Sequence, residues 1–289
     1  MRVAIIGAGK MGQWFTKYFH EEGFSVVVSS RTKNKLKALE NKFDVDLANN
    51  NVEALEDADW ILLCVSLDSL DTVLTEIGSY VKQNQVIMDI SSIKEIPLNL
   101  MHKHVKNAIT LGTHPVFGPG AKNLVDQNYV LTPIKENEIQ FAKKFKRWLE
   151  ERGASVSVMT PKKHDMLMSL VLGFPHFVGL VAGDTLGARN DFSEAKSVGG
   201  ATYKLLLTLV EAVSSEEQTF YSNLHMSLPE IEKIENIFLN KIEEWLQLVK
   251  NKDCQGFASK MGQVKKRLKE LDPEYENAYK AMYRIMGNF

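Results

Sequence analysis

Short apolar runs alternate with segments of helical periodicity along the first half of the chain. Residues 2–6 form an apolar run that stops at Gly7, and residues 10–20 repeat their apolar positions at helical spacing. Further apolar runs of strand length lie at residues 24–28, 60–65, 86–90 and 109–111. With helical segments between these runs, the pattern predicts an α/β fold with a doubly wound, mostly parallel sheet.

The pattern changes about half-way along the chain. Residues 129–132 and 155–159 are predicted as two more strands, and no strand signal follows them. Beyond this point the apolar residues recur at helical spacing. A chain of 289 residues also exceeds the length at which one core keeps growing. We therefore predict two domains, an α/β domain over residues 1–160 and an all-α domain over residues 161–289.

Composition and charge narrow the classes of function. Lysine plus arginine (35) nearly balances aspartate plus glutamate (36), so no overall field favours nucleic acid or a membrane, and a small-molecule substrate is expected. The cysteines, Cys64 and Cys254, form neither a disulfide framework nor a zinc site, and no metal is expected. We find no signal peptide and expect no apolar run that approaches ~20 residues, so the predicted location is cytoplasmic.

A glycine-rich motif follows the first strand. Gly7-Ala8-Gly9-Lys10-Met11-Gly12 matches G-x-G-x-x-G between a strand and a helix, the context in which this motif binds a dinucleotide pyrophosphate. In that role Gly7 permits a tight turn, Gly9 lets the pyrophosphate approach, and Gly12 allows close helix packing. The alternative is a purely structural glycine turn. The context favours a Rossmann-type domain with these six residues at the cofactor.

The end of the second strand bears on the choice of cofactor. An NAD-binding fold normally has Asp or Glu there for the ribose 2′-hydroxyl, but this chain has Ser29-Ser30-Arg31-Thr32. A hydroxyl pair followed by the guanidinium of Arg31 suits a 2′-phosphate, so NADP is favoured over NAD, and Ser30, Arg31 and Thr32 are predicted at the cofactor. Arg31 could instead be a solvated residue that starts a helix. Ser66, after a later strand, is expected at the cofactor unless it only caps a helix.

Two polar segments follow strands at the edge where an open sheet binds ligands. They are Asp89-Ile90-Ser91-Ser92-Ile93-Lys94 and Thr113-His114-Pro115. His114 is the predicted catalytic base, because imidazole accepts a proton near neutral pH; its alternative role is a turn cap. Ser92 is predicted to orient the substrate hydroxyl or the histidine, or else to cap the next helix. Lys94 is predicted to stabilise nearby negative charge.

The order of these motifs resembles the prephenate dehydrogenase family from end to end. The glycine motif, D-I-S-S-I-K, T-H-P-V-F-G-P, His164-Asp165 and Phe174-Pro175-His176 occur in that family's order, and the two polar segments are similar to its archaeal branch. The resemblance implies a two-domain architecture like that of 6-phosphogluconate dehydrogenase. It also implies oxidative decarboxylation of prephenate to 4-hydroxyphenylpyruvate in tyrosine biosynthesis, with hydride transfer to the nicotinamide. His114 then takes the hydroxyl proton, with Ser92 beside it.

The resemblance also implies substrate-binding residues in the second half. His164 and His176 match the family's second-domain motif and are expected to line the substrate side of the cleft. A proline, Pro175, is expected to distort the helix between them.

Two departures from the family concern the substrate. Leu172-Gly173 stands where many members have another histidine, and no arginine follows Gly199-Gly200, where the family binds a substrate carboxylate. Prephenate is a dianion, so a cation is expected to replace that arginine. Lys204 is the nearest candidate, and Lys94 or a residue of a partner subunit are the alternatives.

Other interpretations stay open at this point. The substrate could be arogenate, which differs from prephenate at one side-chain group. The chain could be a β-hydroxyacid dehydrogenase or imine reductase that uses Lys204 as a catalytic lysine, although the His-Pro segment has no role in that chemistry. It could also bind NADP as a sensor without turnover.

The helical half carries more apolar surface than a small bundle needs, including Trp245 and scattered methionines. We therefore predict a homodimer through this half, and the family resemblance points the same way. No fused chorismate mutase domain and no ACT-type regulatory domain are expected, because the strand pattern starts the chain and the helical pattern ends it.

Overall fold

The apolar runs of the first half form one eight-stranded sheet in the computed structural model, which describes residues 1–287 except the side chain of Met286. The strands are β1 (Arg2–Ile6), β2 (Ser25–Ser29), β3 (Asp46–Leu47), β4 (Trp60–Leu63), β5 (Val86–Asp89), β6 (Ile109–Pro115), β7 (Asn128–Thr132) and β8 (Ser155–Val158). Every predicted strand is present. The edge strand β3 was not predicted, because two residues are too few to show a hydrophobic pattern.

The strand order creates a place for a ligand. The order is β3-β2-β1-β4-β5-β6-β7-β8, with all neighbours parallel except the antiparallel pair β6 and β7. Because the chain crosses from one side of β1 to the other between β3 and β4, the carboxyl ends of β1 and β4 form a topological switch point. The predicted Rossmann-type doubly wound sheet is confirmed.

Helices cover both faces of this sheet. They are α1 (Lys10–Glu21), α2 (Lys33–Glu40), α3 (Asn51–Ala54), α4 (Leu67–Ile77), α5 (Glu95–His104), α6 (Glu136–Glu150) and α7 (Pro161–Met168). Alternate strand residues point to opposite faces, so Val3 and Ile5 of β1 enter one apolar cluster and Ala4 and Ile6 enter the other. The first cluster includes aromatic residues of α1 and α6, and the second includes leucines of α4 and α5.

The remainder of the described chain is helical, as predicted. After a π-helical turn at Ser169–Gly173 come α8 (Phe174–Gly187), α9 (Phe192–Val198), α10 (Ala201–Ser214), α11 (Gln218–Ser227), α12 (Ile231–Lys250), α13 (Cys254–Leu271), a 3-10 turn (Tyr275–Asn277) and α14 (Ala278–Gly287). The last two residues of the predicted all-α domain lie outside the described residues.

The chain divides into two compact units, Met1–Met168 and Ser169–Phe289. The division lies beyond residue 160, where helical periodicity begins, because α7 packs against α5 and β7 of the first unit. A buried carboxylate of α7, that of Asp165, accepts the backbone N–H of Lys94 at 2.7 Å. Helical periodicity therefore marks the start of α7 and not the end of the first unit.

The π-helical turn at Ser169–Gly173 ends two residues before Pro175. Proline has no backbone N–H, and its ring collides with the carbonyl four residues earlier, so a regular helix cannot continue through it. The predicted distortion is confirmed. A Cβ on Gly173 would lie 2.6 Å from Leu228 Cδ1 and 2.7 Å from Ile231 Cδ1, so a larger residue at this position requires these two side chains to move.

The expectation that no apolar run approaches ~20 residues is wrong. The helical stretch Pro161–Gly187 is long and apolar enough to cross a membrane by length and composition, and 22% of its most apolar segment is buried. The run is hard to see in the sequence because uncharged Ser169, Pro175 and His176 interrupt the aliphatic residues. Its exposed side chains include Leu170 and Val171. The second unit therefore presents an apolar surface.

Candidate active site

The glycine turn after β1 depends on two positions where no side chain fits. Gly7 has φ of 110°, which favours glycine, and its N–H donates to Ser29 O at 2.8 Å. A Cβ on Gly7 would lie 2.5 Å from the carbonyl oxygen of Cys64. A Cβ on Gly12 would lie 1.9 Å from Gly7 O. These are the tight turn and the close packing of α1 expected from the motif.

Gly9 stands at a different kind of position. It is the N-cap of α1, and no atom lies within 4 Å of the place where its Cβ would be. The first amide groups of a helix have no partner within the helix and bind anions. Open space beside Gly9, at the N-terminus of α1, therefore fits a pyrophosphate that approaches the backbone.

A cleft of about 600 Å³ extends from this turn across the ends of β2 and β4. Most of the predicted cofactor residues line it, namely Gly7, Ala8, Gly9, Ser30, Arg31, Thr32 and Ser66. Lys10, Met11 and Gly12 do not line it. Lys10 faces a separate surface depression beside Trp14 and Lys42, and Met11 packs against the apolar core. The side chains of Lys10 and Met11 therefore point away from the cleft, and the predicted cofactor contacts of residues 10–12 stay a prediction about the backbone at the start of α1.

Hydroxyls and one guanidinium form the far end of the cleft. Arg31 Nη2 donates to Ser69 Oγ at 3.3 Å, and Ser69 Oγ also pairs with Ser66 Oγ at 3.1 Å. Ser30 Oγ accepts from the N–H of Thr32 at 3.2 Å. Ser66 is the N-cap of α4, yet its hydroxyl makes no capping bond. The alternative role of Ser66, in which its hydroxyl caps the helix, is therefore not observed.

Several polar residues of this cleft were not predicted from the sequence. Asn51 Oδ1 accepts from Ser29 Oγ at 2.6 Å, and Asn51 Nδ2 donates to Glu76 Oε2 at 2.7 Å. Asp68 and Glu76 also line the cleft. These acids lie on α4 and not at the end of β2, where an NAD-binding fold carries its carboxylate. Because they follow no strand directly, no motif singled them out.

His114 lies on β6 itself and not in the loop after it. It is paired with Val130 of β7 and is 4% exposed. The turn-cap alternative fails, because the strand continues through Pro115. Burial lowers the pKa of His114 well below its usual value near 6.5, and the neighbouring Lys94 and His164 lower it further. The imidazole is therefore neutral at neutral pH, the form that accepts a proton.

A buried chain of side chains leads away from His114. His114 Nδ1 lies 2.9 Å from His164 Nε2, and His164 Nδ1 lies 2.7 Å from Asp165 Oδ1. His164 is fully buried, so both of its ring nitrogens are engaged inside the protein. The predicted contact between His164 and the substrate stays a prediction, and in this structure protein partners occupy both ring nitrogens.

The ammonium of Lys94 is paired inside the protein. It is fully buried, and its Nζ donates to Asp89 Oδ2 at 2.5 Å and to Thr113 O at 2.6 Å. Burial lowers the pKa of Lys94, and the Asp89 carboxylate opposes that shift. Lys94 therefore cannot hold a substrate carboxylate directly. Its ammonium lies beneath the strand ends, where it acts on the charge of His114.

Ser92 keeps a free hydroxyl in the described part of the chain. It is half-buried between β5 and α5, and no hydrogen bond joins it to His114. The N-cap of α5 is Lys94, so Ser92 does not cap that helix. The capping alternative is excluded, and the hydroxyl of Ser92 is available to a ligand.

The predicted substrate residues His176 and Lys204 lie in the second unit. His176, on α8, packs edge-on against Tyr221 with ring centroids 4.5 Å apart. Burial and then His225 lower the pKa of His176 to about 4, so this ring is also neutral. Lys204 is exposed on the first turns of α10, and no ion pair involves it within residues 1–287.

Two family models cover most of the chain. The model "Prephenate dehydrogenase, nucleotide-binding domain" matches residues 15–158, and "Prephenate dehydrogenase, dimerization domain" matches residues 160–263. The chain belongs to the prephenate dehydrogenase family. Most of the residues that line the cofactor cleft, together with His114, therefore fall in the part matched by the nucleotide-binding domain. His176 and Lys204 fall in the part matched by the dimerization domain.

Curated relatives within the prephenate dehydrogenase family carry both substrate names. A protein of Methanocaldococcus jannaschii named "Probable arogenate/prephenate dehydrogenase" is 34% identical over 270 residues, which cover 92% of this chain and 60% of the relative. The chain thus spans less than two thirds of that relative. "Arogenate dehydrogenase 2, chloroplastic" of Arabidopsis thaliana is 26% identical over 82% of this chain and 67% of the relative.

Solved structures of the prephenate dehydrogenase family share the fold. A prephenate dehydrogenase from A. aeolicus, in complex with hydroxyphenyl propionate and NAD+, superposes with a TM-score of 0.76 at 21% identity, over 94% of this chain and 98% of that chain. Synechocystis arogenate dehydrogenase gives 0.73 at 16% identity, over 94% and 100%. At these identities the likeness concerns the fold alone.

Proposed function

We propose that this chain oxidises and decarboxylates prephenate to 4-hydroxyphenylpyruvate with NADP as the cofactor. The observation that carries the proposal is His114, a buried imidazole kept neutral at the carboxyl end of β6, on the edge of the sheet that also forms the cofactor cleft. A neutral imidazole at this edge is suited to take a proton from a substrate hydroxyl.

The residues divide the chemistry between them. When bound, NADP supplies the hydride acceptor. His114 accepts the proton of the ring hydroxyl at Nε2, because Nδ1 is engaged with His164. Ser92, with its unused hydroxyl, orients the same substrate hydroxyl. Departure of carbon dioxide makes the ring aromatic, so the protein needs no further acid or base for that step.

The choice of NADP rests on the end of the cleft. Ser30, Arg31 and Thr32 follow β2, and Lys35 of α2 lines the same cleft. A planar guanidinium flanked by hydroxyls matches the oxygens of a 2′-phosphate. NAD would leave Arg31 without an anionic partner.

The substrate carboxylates need a cation in place of the family's arginine. Among the predicted residues, Lys94 is buried and His176 is neutral, which leaves Lys204. We assign Lys204 to a substrate carboxylate and His176 to a hydrogen bond with the substrate.

Arogenate is the second candidate substrate, because relatives of this chain carry that name. Membership of the family argues against the β-hydroxyacid dehydrogenase and imine reductase alternatives. Mixing the protein with prephenate or arogenate, each with NADP or NAD, and following absorbance of the reduced nicotinamide tests substrate and cofactor together. Fastest reduction with prephenate and NADP is expected. Faster reduction with arogenate would replace the substrate, and no reduction in any mixture would refute the proposal.

We also propose a cytoplasmic homodimer formed through the helical unit. The matching domain is described as a dimerization domain, and α12 and α13 expose apolar residues along their length, including Ile242, Leu246, Val264 and Leu268. A second copy would cover these side chains and the apolar stretch Pro161–Gly187. Light scattering at micromolar concentration should give twice the mass of the chain. A monomer, or recovery of the protein with membranes, would contradict this assignment.

A further inference from the structure

Three buried side chains form a line behind the proposed base. His114 is 4% exposed, His164 is not exposed, and Asp165 is 3% exposed. Hydrogen-bond distances join them in sequence, 2.9 Å from His114 Nδ1 to His164 Nε2 and 2.7 Å from His164 Nδ1 to Asp165 Oδ1. With water excluded, the proton on each ring must sit where its neighbour can accept it.

Asp165 is held as an acceptor by the start of α5. Its Oδ1 accepts the N–H of Lys94 at 2.7 Å, and its Oδ2 accepts the N–H of Glu95 at 2.9 Å. A helix N-terminus stabilises negative charge, and a carboxylate that accepts backbone N–H groups stays ionised. An ionised carboxylate has no proton to donate. His164 Nδ1 must therefore carry the proton of the 2.7 Å bond.

The consequence passes to His114. A neutral His164 with its proton on Nδ1 has a lone pair on Nε2, so His114 Nδ1 must donate across the 2.9 Å contact. His114 Nε2 is then left without a proton. We infer that Asp165, acting through His164, is a positioning residue that fixes His114 in the tautomer whose Nε2 can accept the substrate proton. This inference rests on the proposed function for its kinetic consequence but not for the tautomer itself.

The charged groups that face His114 act in opposite directions. The ammonium of Lys94, paired with Asp89 on β5, disfavours a second positive charge on the imidazole. The Asp165 carboxylate favours a positive charge on His114, because the His164 ring between Asp165 and His114 is hydrogen-bonded to both and is polarised by the carboxylate. When Nε2 takes the hydroxyl proton, Nδ1 keeps its own, and the imidazolium is stabilised through His164 without a second proton transfer.

Ring nitrogen resonances of ¹⁵N-histidine-labelled protein read the tautomers without any substrate. In the wild type, both His114 and His164 should carry the proton on Nδ1. Asp165→Asn has one acceptor oxygen where the carboxylate has two, and with that oxygen on the N–H of Glu95 the amide N–H₂ faces His164 Nδ1. Both histidines should then move their protons to Nε2. A wild-type His114 protonated at Nε2, or an Asp165→Asn protein with unchanged tautomers, would overturn the inference.

Kinetics give the second arm. Asp165→Asn should lower kcat by about 10²–10⁴-fold near neutral pH, the range expected when a general base is disabled or held in the wrong tautomer, with KM for the cofactor unchanged. His102→Gln is a matched control, because His102 of α5 pairs with the carboxylate of Glu138 of α6 at 2.5 Å and is not part of the hydrogen-bonded line from His114 to Asp165. This control should retain the wild-type kcat.

Two variants of His164 separate orientation from packing. His164→Gln offers an amide oxygen that can accept from His114 Nδ1, and His164→Ala offers none. The glutamine variant should be faster by about tenfold, the worth of one buried hydrogen bond. Equal rates in the two variants, or a loss of kcat in Asp165→Asn without a tautomer change, would show that the line serves packing only. If the wild type reduces no cofactor with either substrate, the proposed function fails, while the resonances still decide the tautomer.

Discussion

Replacing Arg31 by alanine should remove most of the preference for NADP over NAD. The guanidinium stands at the end of the cofactor cleft, where its Nη2 contacts Ser69 Oγ at 3.3 Å. This is a long hydrogen bond that a phosphate can displace. Two parallel N–H groups of Arg31 can then bind two phosphate oxygens.

The expected loss of kcat/KM for NADP follows from the exposure of Arg31. A hydrogen bond to a charged group contributes about 1.5–3 kcal/mol, and Arg31 is exposed, so screening by water and salt places the effect near the lower end. At about 1.4 kcal/mol per factor of ten, kcat/KM for NADP should fall roughly 10- to 30-fold. The value for NAD should not change, because NAD has no 2′-phosphate.

The assay compares kcat/KM for both cofactors in the wild type, Arg31→Ala and Lys33→Ala. The lysine variant is a matched control, because it removes the same charge at the start of α2 from a residue that does not line the cleft. An unchanged ratio of NADP to NAD in Arg31→Ala would refute the assignment of the 2′-phosphate. An equal loss in Lys33→Ala would mean that only the overall charge matters.

Three further predictions concern stability and pH. Gly12→Ala should lower the free energy of unfolding by about 1–3 kcal/mol, because its Cβ meets backbone at 1.9 Å, whereas Gly9→Ala, which meets no atom within 4 Å, should keep its melting temperature and lose affinity for the cofactor. Asp89→Asn leaves the Lys94 ammonium buried without a counterion, so urea unfolding should show a loss of about 3–5 kcal/mol, partly recovered when Lys94→Met is added. The pKa of His114 is lower in the folded than in the unfolded chain, so the stability that neutral His114 allows is present above pH 6.5 and should be lost as the pH falls below that value. The acid limb of the pH profile of kcat/KM should also lie well below pH 6.5. An acid limb above pH 6.5 would contradict a neutral imidazole.

The fold was predictable because its strands are buried on both faces. Each of β1, β4 and β5 is an almost unbroken apolar run, so the sequence pattern alone finds them. Periodicity could not locate the end of the first unit, since α7 is helical like the second unit but packs on α5. What places it there is a buried polar contact, from Asp165 to the start of α5, and such a contact leaves no periodic signal.

The site was predictable where a motif states a backbone requirement, as at Gly7 and Gly12. The site was less predictable where the role of a residue depends on how deeply its side chain is buried. In the sequence His164 and Lys94 are two polar residues near the proposed base, and the pattern does not show that both side chains are fully buried. Asp165 was visible beside His164, but its role depends on the backbone N–H groups of a helix some seventy residues earlier.

The rate of NADP reduction with prephenate in wild type, His114→Ala and the control His20→Ala tests the central claim most directly. His20 is a half-buried histidine on α1 outside the site. We expect kcat to fall by about 10²–10⁴-fold in His114→Ala alone, with the affinity for NADP unchanged in all three proteins. A His114→Ala protein that turns over prephenate at the wild-type rate would contradict the assignment of His114 as the base.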